Sequence, residues 1–176
     1  MVGGGACRIG LSLAQGSGKV LVHSINLVKP IALIAGDECR AAVDDVRNEL
    51  NLPAERFHWF ADQATRQNAG TAPQGFINLA SIIDEFPTFN PATTHSVKGK
   101  DGLFYIYTSG TTGLPKAVIF TNSRWTLAYG TYGHVLNLNE QDVMYVTLPL
   151  YHATGTVVCW CGVIAGAATL ALRRKF

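Results

Sequence analysis

One stretch limits what this chain can fold into more than any other: Tyr105-Ile106-Tyr107-Thr108-Ser109-Gly110-Thr111-Thr112-Gly113-Leu114-Pro115-Lys116. Residues 103–107 are apolar and aromatic, of strand type, and Ala117-Val118-Ile119-Phe120 is a second such run. Between them lies a loop of hydroxyls and glycines closed by a lysine, a composition that suits a polyphosphate. Gly110 and Gly113 permit backbone angles and close approaches that a side chain blocks. Successive N–H groups in such a loop can form an anion-binding concavity. Thr108, Ser109, Thr111 and Thr112 add hydroxyl donors, and Lys116 adds a point charge. The plain alternative is a surface turn, because turns favour the same residues. The stretch is not the P-loop of the common nucleotidases. That pattern needs Gly-Lys-Ser/Thr opening a helix, whereas Pro115 precedes Lys116 and β-branched residues follow.

The 176 residues are about one domain's worth of chain, and a domain near this size buries roughly 70% of its unfolded surface. Hydrophobic residues are 48% and charged residues 15%, apolar for a soluble protein. The net charge of +2 and the lack of a basic cluster interleaved with aromatics give nucleic-acid binding no support. Cys7, Cys39, Cys159 and Cys161 make no disulfide framework in a chain this long. Cys159 and Cys161, with His152 nearby, are a conceivable metal set. They lack a second pair and have apolar neighbours, so buried free thiols are expected. The cytosolic side of a membrane is the natural compartment for such thiols.

Along the chain, residues 1–18 read as a flexible lead-in, neither a signal peptide nor a complete P-loop. From Lys19 the spacing predicts a helix that Pro30 ends, then a strand over residues 31–35. Asp37 is a candidate N-cap for a helix with Cys39, Val43, Val46 and Leu50 on one face. Residues 56–61 read as a strand and residues 76–86 as a short helix, with loops before and after that helix. Thr121 and Asn122 are good caps for a helix running to Leu136, weakened by Gly130 and Gly133. Residues 143–146 read as a strand, 156–164 as an apolar helix and 167–172 as another strand. Trp125 and Trp160 read as core aromatics. The alternation predicts an α/β layered sandwich with a mainly parallel sheet.

The run from Tyr105 to Lys116 resembles the phosphate-binding signature of the adenylate-forming superfamily. Residues 19–35, 101–125, 148–152 and 167–176 extend the resemblance to long-chain fatty-acid–CoA ligases, in the branch of the fatty acid transport proteins and very-long-chain acyl-CoA synthetases. The resemblance implies that residues 19–176 are part of the large N-terminal, AMP-binding domain, that residues 1–18 match poorly, and that the chain is truncated. It implies ATP-dependent activation of a long-chain fatty acid to acyl-adenylate and then, with coenzyme A, to acyl-CoA. By the same resemblance, residues 108–113 cradle the β- and γ-phosphates, Lys116 supports the loop and Thr108 is a magnesium ligand. His152, in the Pro-Leu-x-His segment, lies near the acyl carboxylate and the α-phosphate. Some members carry a gating tryptophan a few residues later, where Thr156 stands. The adenine-, ribose- and coenzyme-A-binding parts would lie downstream of Phe176, so the stretch alone is not expected to form acyl-CoA.

Two other readings stand beside this one. A membrane-associated transport or lipid-binding module, with peripheral membrane contact, would draw on residues 148–172, which hold no Asp, Glu, Lys or Arg. A non-catalytic remnant would keep nucleotide affinity at most.

Overall fold

Spacings of three and four put Leu21, Ser24 and Ile25 on one face of α1 (Gly18–Leu27), and that face is buried. The computed structural model describes residues 9–11 (backbone alone), 18–61, 71–108 and 113–173. The chain divides into two units. The first takes residues 12–91 and 109–116, the second residues 1–11, 92–108 and 117–176.

In the first unit, β2 (Leu33–Gly36) leads directly into α2 (Asp37–Val46), and β3 (Phe57–Phe60) returns parallel to β2. A short β4 (Ile77–Asn78) pairs parallel with β3, giving the order β2-β3-β4. The core is Leu21, Ile25, Ala35, Val43, Val46, Leu50, Phe57, Trp59 and Phe76. Phe76 meets Phe57 edge-on with ring centroids 6.2 Å apart. The Arg47 guanidinium lies 4.0 Å from the Phe57 ring centre and 4.5 Å from that of Phe76. Its two terminal nitrogens donate to the Gly75 carbonyl at 2.8 and 2.6 Å. A planar guanidinium suits both tasks at once, stacking on rings and donating in its own plane. Gly75 is left-handed at φ 84°, and a Cβ there would collide with Arg47.

Several local expectations shift in this unit. The strand starts at Leu33, not at residue 31, and Ile31 is exposed. Gly36 occupies the cap position of α2 without a side-chain bond, so Asp37 is the first helical residue. Its carboxylate instead accepts from the Trp59 indole N–H at 2.7 Å, where it also faces the positive end of the helix dipole. The expected helix over residues 76–86 contracts to α3 (Leu79–Ile83). Asn78 ends β4 and caps α3, accepting from the Ala80 N–H at 3.1 Å, while Phe76 is drawn into the core and Phe86 stays exposed.

The second unit contains β1 (Ile9–Leu11), β5 (Gly102–Thr108) and β6 (Lys116–Thr121, whose first residue belongs to the first unit), ordered β1-β5-β6. β1 runs parallel to β5, with Ile9 opposite Phe104. Part of the predicted lead-in is therefore a strand, paired across almost a hundred residues that no local pattern reports. α4 (Asn122–Leu136) follows β6, with Thr121 as its N-cap: the hydroxyl accepts from the Arg124 N–H at 3.3 Å. Asn137 closes the helix in a left-handed conformation. Gly133 is a close-approach residue and not merely a weak point. A Cβ there would sit 2.6 Å from the Ala165 Cβ, so its absence lets α4 pack against α5 (Cys161–Gly166).

β7 (Val143–Val146) and β8 (Thr169–Leu172) pair parallel in full register. Between them lie a π-helical segment, Thr154–Trp160, and α5. The uncharged run 148–172 is thus divided among a turn, two short helical pieces and a strand. No helix among the described residues is long and apolar enough to cross a membrane. The core of this unit is Phe104, Ile106, Ala128, Val157 and Cys161, with Trp125 packed against it. Trp160 is not a core aromatic: it is 43% exposed and touches the cluster edge-on through Trp125. The protein is α/β, and the pairs β1–β5, β2–β3, β3–β4 and β7–β8 all run parallel.

Candidate functional site

β5 alternates buried and part-buried residues up to Tyr107 and ends on Thr108, which is exposed. Burial in this strand pushes the Tyr107 phenol up to about 12, and the neighbouring Tyr105 adds to the shift. Four candidate residues, Ser109, Gly110, Thr111 and Thr112, lie outside the described residues. The chain resumes at Gly113, left-handed at φ 83°, a conformation that favours glycine. Leu114 is exposed, Pro115 is buried, and Lys116 opens β6 as an exposed residue. The Thr/Ser/Gly stretch therefore connects two strands that are neighbours in one sheet. Gly113, Pro115 and Lys116 belong to the first unit, Thr108 and His152 to the second.

The Pro115 carbonyl has a partner that sequence reading missed. The Nε2 of His23, on α1, lies 3.0 Å from it across 92 residues of chain. Both residues belong to the first unit. Nothing local to either residue announces the pair.

His152 sits at the entrance of the helical segment that follows β7. Its N–H donates to the Pro149 carbonyl at 2.9 Å, and its carbonyl accepts from the Thr156 N–H at 3.0 Å. The side chain is oriented by the chain just after it: Nδ1 accepts from the Thr154 N–H at 3.2 Å. An accepting Nδ1 carries no proton, so the neutral ring holds its proton on Nε2. The residue is exposed, so that donor belongs to an accessible side chain. An N–H in this place can bond a carboxylate or phosphate oxygen.

Two further residues shape this turn. Thr156 is buried, and its hydroxyl donates to the Leu150 carbonyl. Gly155 is buried where a Cβ would come within 2.7 Å of the Pro149 oxygen and 3.0 Å of the Leu148 oxygen. Only glycine lets the segment lie on the Leu148–Pro149 backbone. A β-hydroxyl next to a glycine was visible in the sequence, but its partner was not.

Burial raises the thiols of Cys159 and Cys161, and that of Cys39 with a smaller contribution from the Glu38 charge. Raised thiols are poor metal ligands and poor nucleophiles. Cys161 is fully buried, whereas Cys159 is only partly so, contrary to the expectation for both. No group of three His, Cys, Asp or Glu suited to a metal occurs among the described residues. An open groove of about 990 Å³ runs between residues 97–99 and α4, and none of the candidate site residues lines it.

The chain is similar to known proteins. Residues 8–176 match the family model described as AMP-binding enzyme. The chain is 37% identical over 160 residues to the medium/long-chain-fatty-acid–CoA ligase FadD6 of Mycobacterium tuberculosis, covering 90% of this chain and 24% of that protein. It is 36% identical over 150 residues to long-chain fatty acid transport protein 1 of Rattus norvegicus, covering 82% of this chain and 22% of that protein. The chain thus spans about a quarter of the length of these curated relatives. Among solved structures, the anthranilate CoA ligase AuaEII in complex with anthranoyl-AMP superposes with a TM-score of 0.80 at 17% identity, over 96% of this chain and 30% of that one. At that identity the likeness speaks for the fold alone. The family match takes in parts of both units and every candidate site residue, and the chain belongs to the AMP-binding enzyme family.

Proposed function

We propose that this chain supplies the polyphosphate-binding loop and the carboxylate-facing histidine of an ATP-dependent long-chain fatty-acid–CoA ligase. The observation that carries the reading is the Thr/Ser/Gly stretch joining the neighbouring strands β5 and β6, with Gly113 left-handed and Lys116 at its exit. The activity named for FadD6 supports the choice of substrate class. On this reading residues 19–176 are part of an AMP-binding domain.

The reaction runs in two steps. An oxygen of the fatty-acid carboxylate forms a bond to the α-phosphorus of ATP as the bond to the bridging oxygen of the β-phosphate breaks. Pyrophosphate leaves, and acyl-adenylate remains. The thiolate of coenzyme A then forms the thioester as the bond between acyl carbon and adenylate oxygen breaks, releasing AMP. Catalysis of the first step is mainly positioning and neutralisation of charge. Residues 108–113 surround the β- and γ-phosphates, and Lys116 is the cation of the stretch. His152 donates from Nε2 to an oxygen of the carboxylate or α-phosphate, oriented by Thr154. The exposed Thr108 hydroxyl is a hard oxygen donor of the kind magnesium takes, and that ion when bound would neutralise phosphate charge.

Binding of magnesium-ATP and of tripolyphosphate to the chain, measured by titration calorimetry, tests the reading. Lys116→Ala is expected to weaken both about tenfold, the scale of one charged hydrogen bond. Equal affinity in the variant, or no polyphosphate binding by the native chain, would sink it.

A further inference from the structure

Lys116 is exposed, so packing does not hold its side chain, and order must reach it through the backbone. The residue before it is Pro115, which has no N–H and a fixed φ. Its carbonyl is therefore the only hydrogen-bonding group residue 115 offers. That oxygen meets the His23 Nε2 at 3.0 Å. A carbonyl only accepts, so Nε2 carries the proton and donates. The peptide unit is planar: the Pro115 oxygen, the Lys116 nitrogen and the Lys116 Cα lie in one plane. Fixing the oxygen fixes that plane and the Lys116 Cα within it, and the strand conformation of Lys116, the first residue of β6, then sets where its side chain leaves.

The donor is itself well held. His23 lies between Leu21 and Ile25, both buried in the core of the first unit. One turn on, Asn26 fastens the end of α1. Its amide donates to the Glu49 carbonyl at 2.9 Å, and its oxygen accepts from the Asn51 N–H at 2.8 Å. The helix is thus pinned on the two sides of His23, and a rigid support is what a positioning group needs.

We propose that His23 is a positioning residue for polyphosphate binding, its Nε2–H holding the Pro115–Lys116 peptide plane so that Lys116 meets the phosphate. The proposal rests on the phosphate-binding reading of the loop and adds to it a residue far from it in sequence. A positioning bond and a purely structural one differ in what their loss does to phosphate affinity.

The test is a double-mutant cycle in this chain, read as tripolyphosphate affinity by calorimetry, with thermal unfolding of every variant. His23→Ala is expected to weaken binding about fivefold, the scale of one neutral hydrogen bond. On the Lys116→Ala background the same change is expected to do nothing further, because His23 acts through Lys116. His23→Gln, whose amide N–H reaches near the Nε2 position, is expected to restore most of the affinity. Equal losses on both backgrounds, or no loss at all, would overturn the proposal. So would His23→Gln behaving like His23→Ala while unfolding at the native temperature. A Lys116→Ala chain that binds as tightly as the native one removes the phosphate-binding reading itself, a result legible without any His23 variant.

Discussion

The two units build their cores from aromatic residues in opposite ways. In the first, Phe57 is 1% exposed, Phe76 closes on its edge, and Arg47 lies over both rings while its nitrogens hold the Gly75 carbonyl. In the second, the aromatic row leads outward. Phe104 is buried and stacked on Phe120 at 5.1 Å, Trp125 meets Phe104 edge-on at 5.6 Å, and Trp160 continues the row into solvent. The closed core makes a firm base for α1 and hence for His23. The open row leaves its outer ring with one aromatic neighbour. The second unit instead fixes His152 by short-range backbone contacts within residues 148–156. A side chain can thus be held from a distance by a packed core, or locally by a tight turn.

Truncation at the centre of each scheme should separate them. Phe57→Ala is expected to destabilise the chain by about 3–5 kcal/mol, the usual cost of emptying a buried phenyl site. It also strips the Arg47 stack. Urea unfolding checks this, and a loss under about 1 kcal/mol would mean that the first core is not closed. Gly155→Ala attacks the other scheme. Its Cβ would meet the Pro149 oxygen at 2.7 Å, a backbone atom that no rotamer change can move. A cost of about 1–3 kcal/mol is expected, together with loss of the Thr154–His152 bond, visible as a changed 15N shift of Nδ1. An unaltered shift would show that the turn does not orient the ring.

Trp160→Ala should cost least at neutral pH, about 1 kcal/mol, because the residue keeps one edge contact and much of its surface is already wet. A cost as large as that of Phe57→Ala would erase the contrast between the cores. Tyr107→Phe is read by its pH dependence in alkali. The folded phenol titrates near 12 against about 10 unfolded, so its contribution is complete below pH 10 and is lost as pH rises through 12. Between those values the native chain should lose stability relative to Tyr107→Phe, measured by urea unfolding at successive pH values. Parallel pH curves would refute the buried-phenol account.

Where a signal is local, the sequence was readable. The strands flanking the loop, the Thr121 cap and the pairing of residues 169–172 in a sheet follow from runs, caps and turns a few residues long. The apolar run 148–172 could be divided by its proline and glycines without seeing its partner strand β7. The misreadings have a common cause. Ile31 looked like strand because it is apolar, but no strand among the described residues pairs with it. Residues 76–86 had helical spacing, yet Phe76 was claimed by Phe57 and Asn78 by the sheet. β1 depends on β5 across the chain, and His23 on Pro115 across 92 residues. The candidate site was legible as a motif, and its chemistry came from family resemblance. Gly155, Thr156 and His23 were not legible, because what each touches is backbone, which leaves no mark on the residue type.

The bond between Thr154 and His152 carries a consequence for how this segment can drift. Thr154 contributes its main-chain N–H, which every amino acid but proline supplies, so that one service does not depend on the side chain at position 154. His152 has no such latitude. Asparagine can place an acceptor near Nδ1 but is too short to donate where Nε2 does, and glutamine has the reach but leaves the Thr154 N–H without its acceptor. If His152 donates from Nε2 as proposed, neither amide keeps both halves of what the ring would do, whereas the N–H at position 154 survives any exchange but proline.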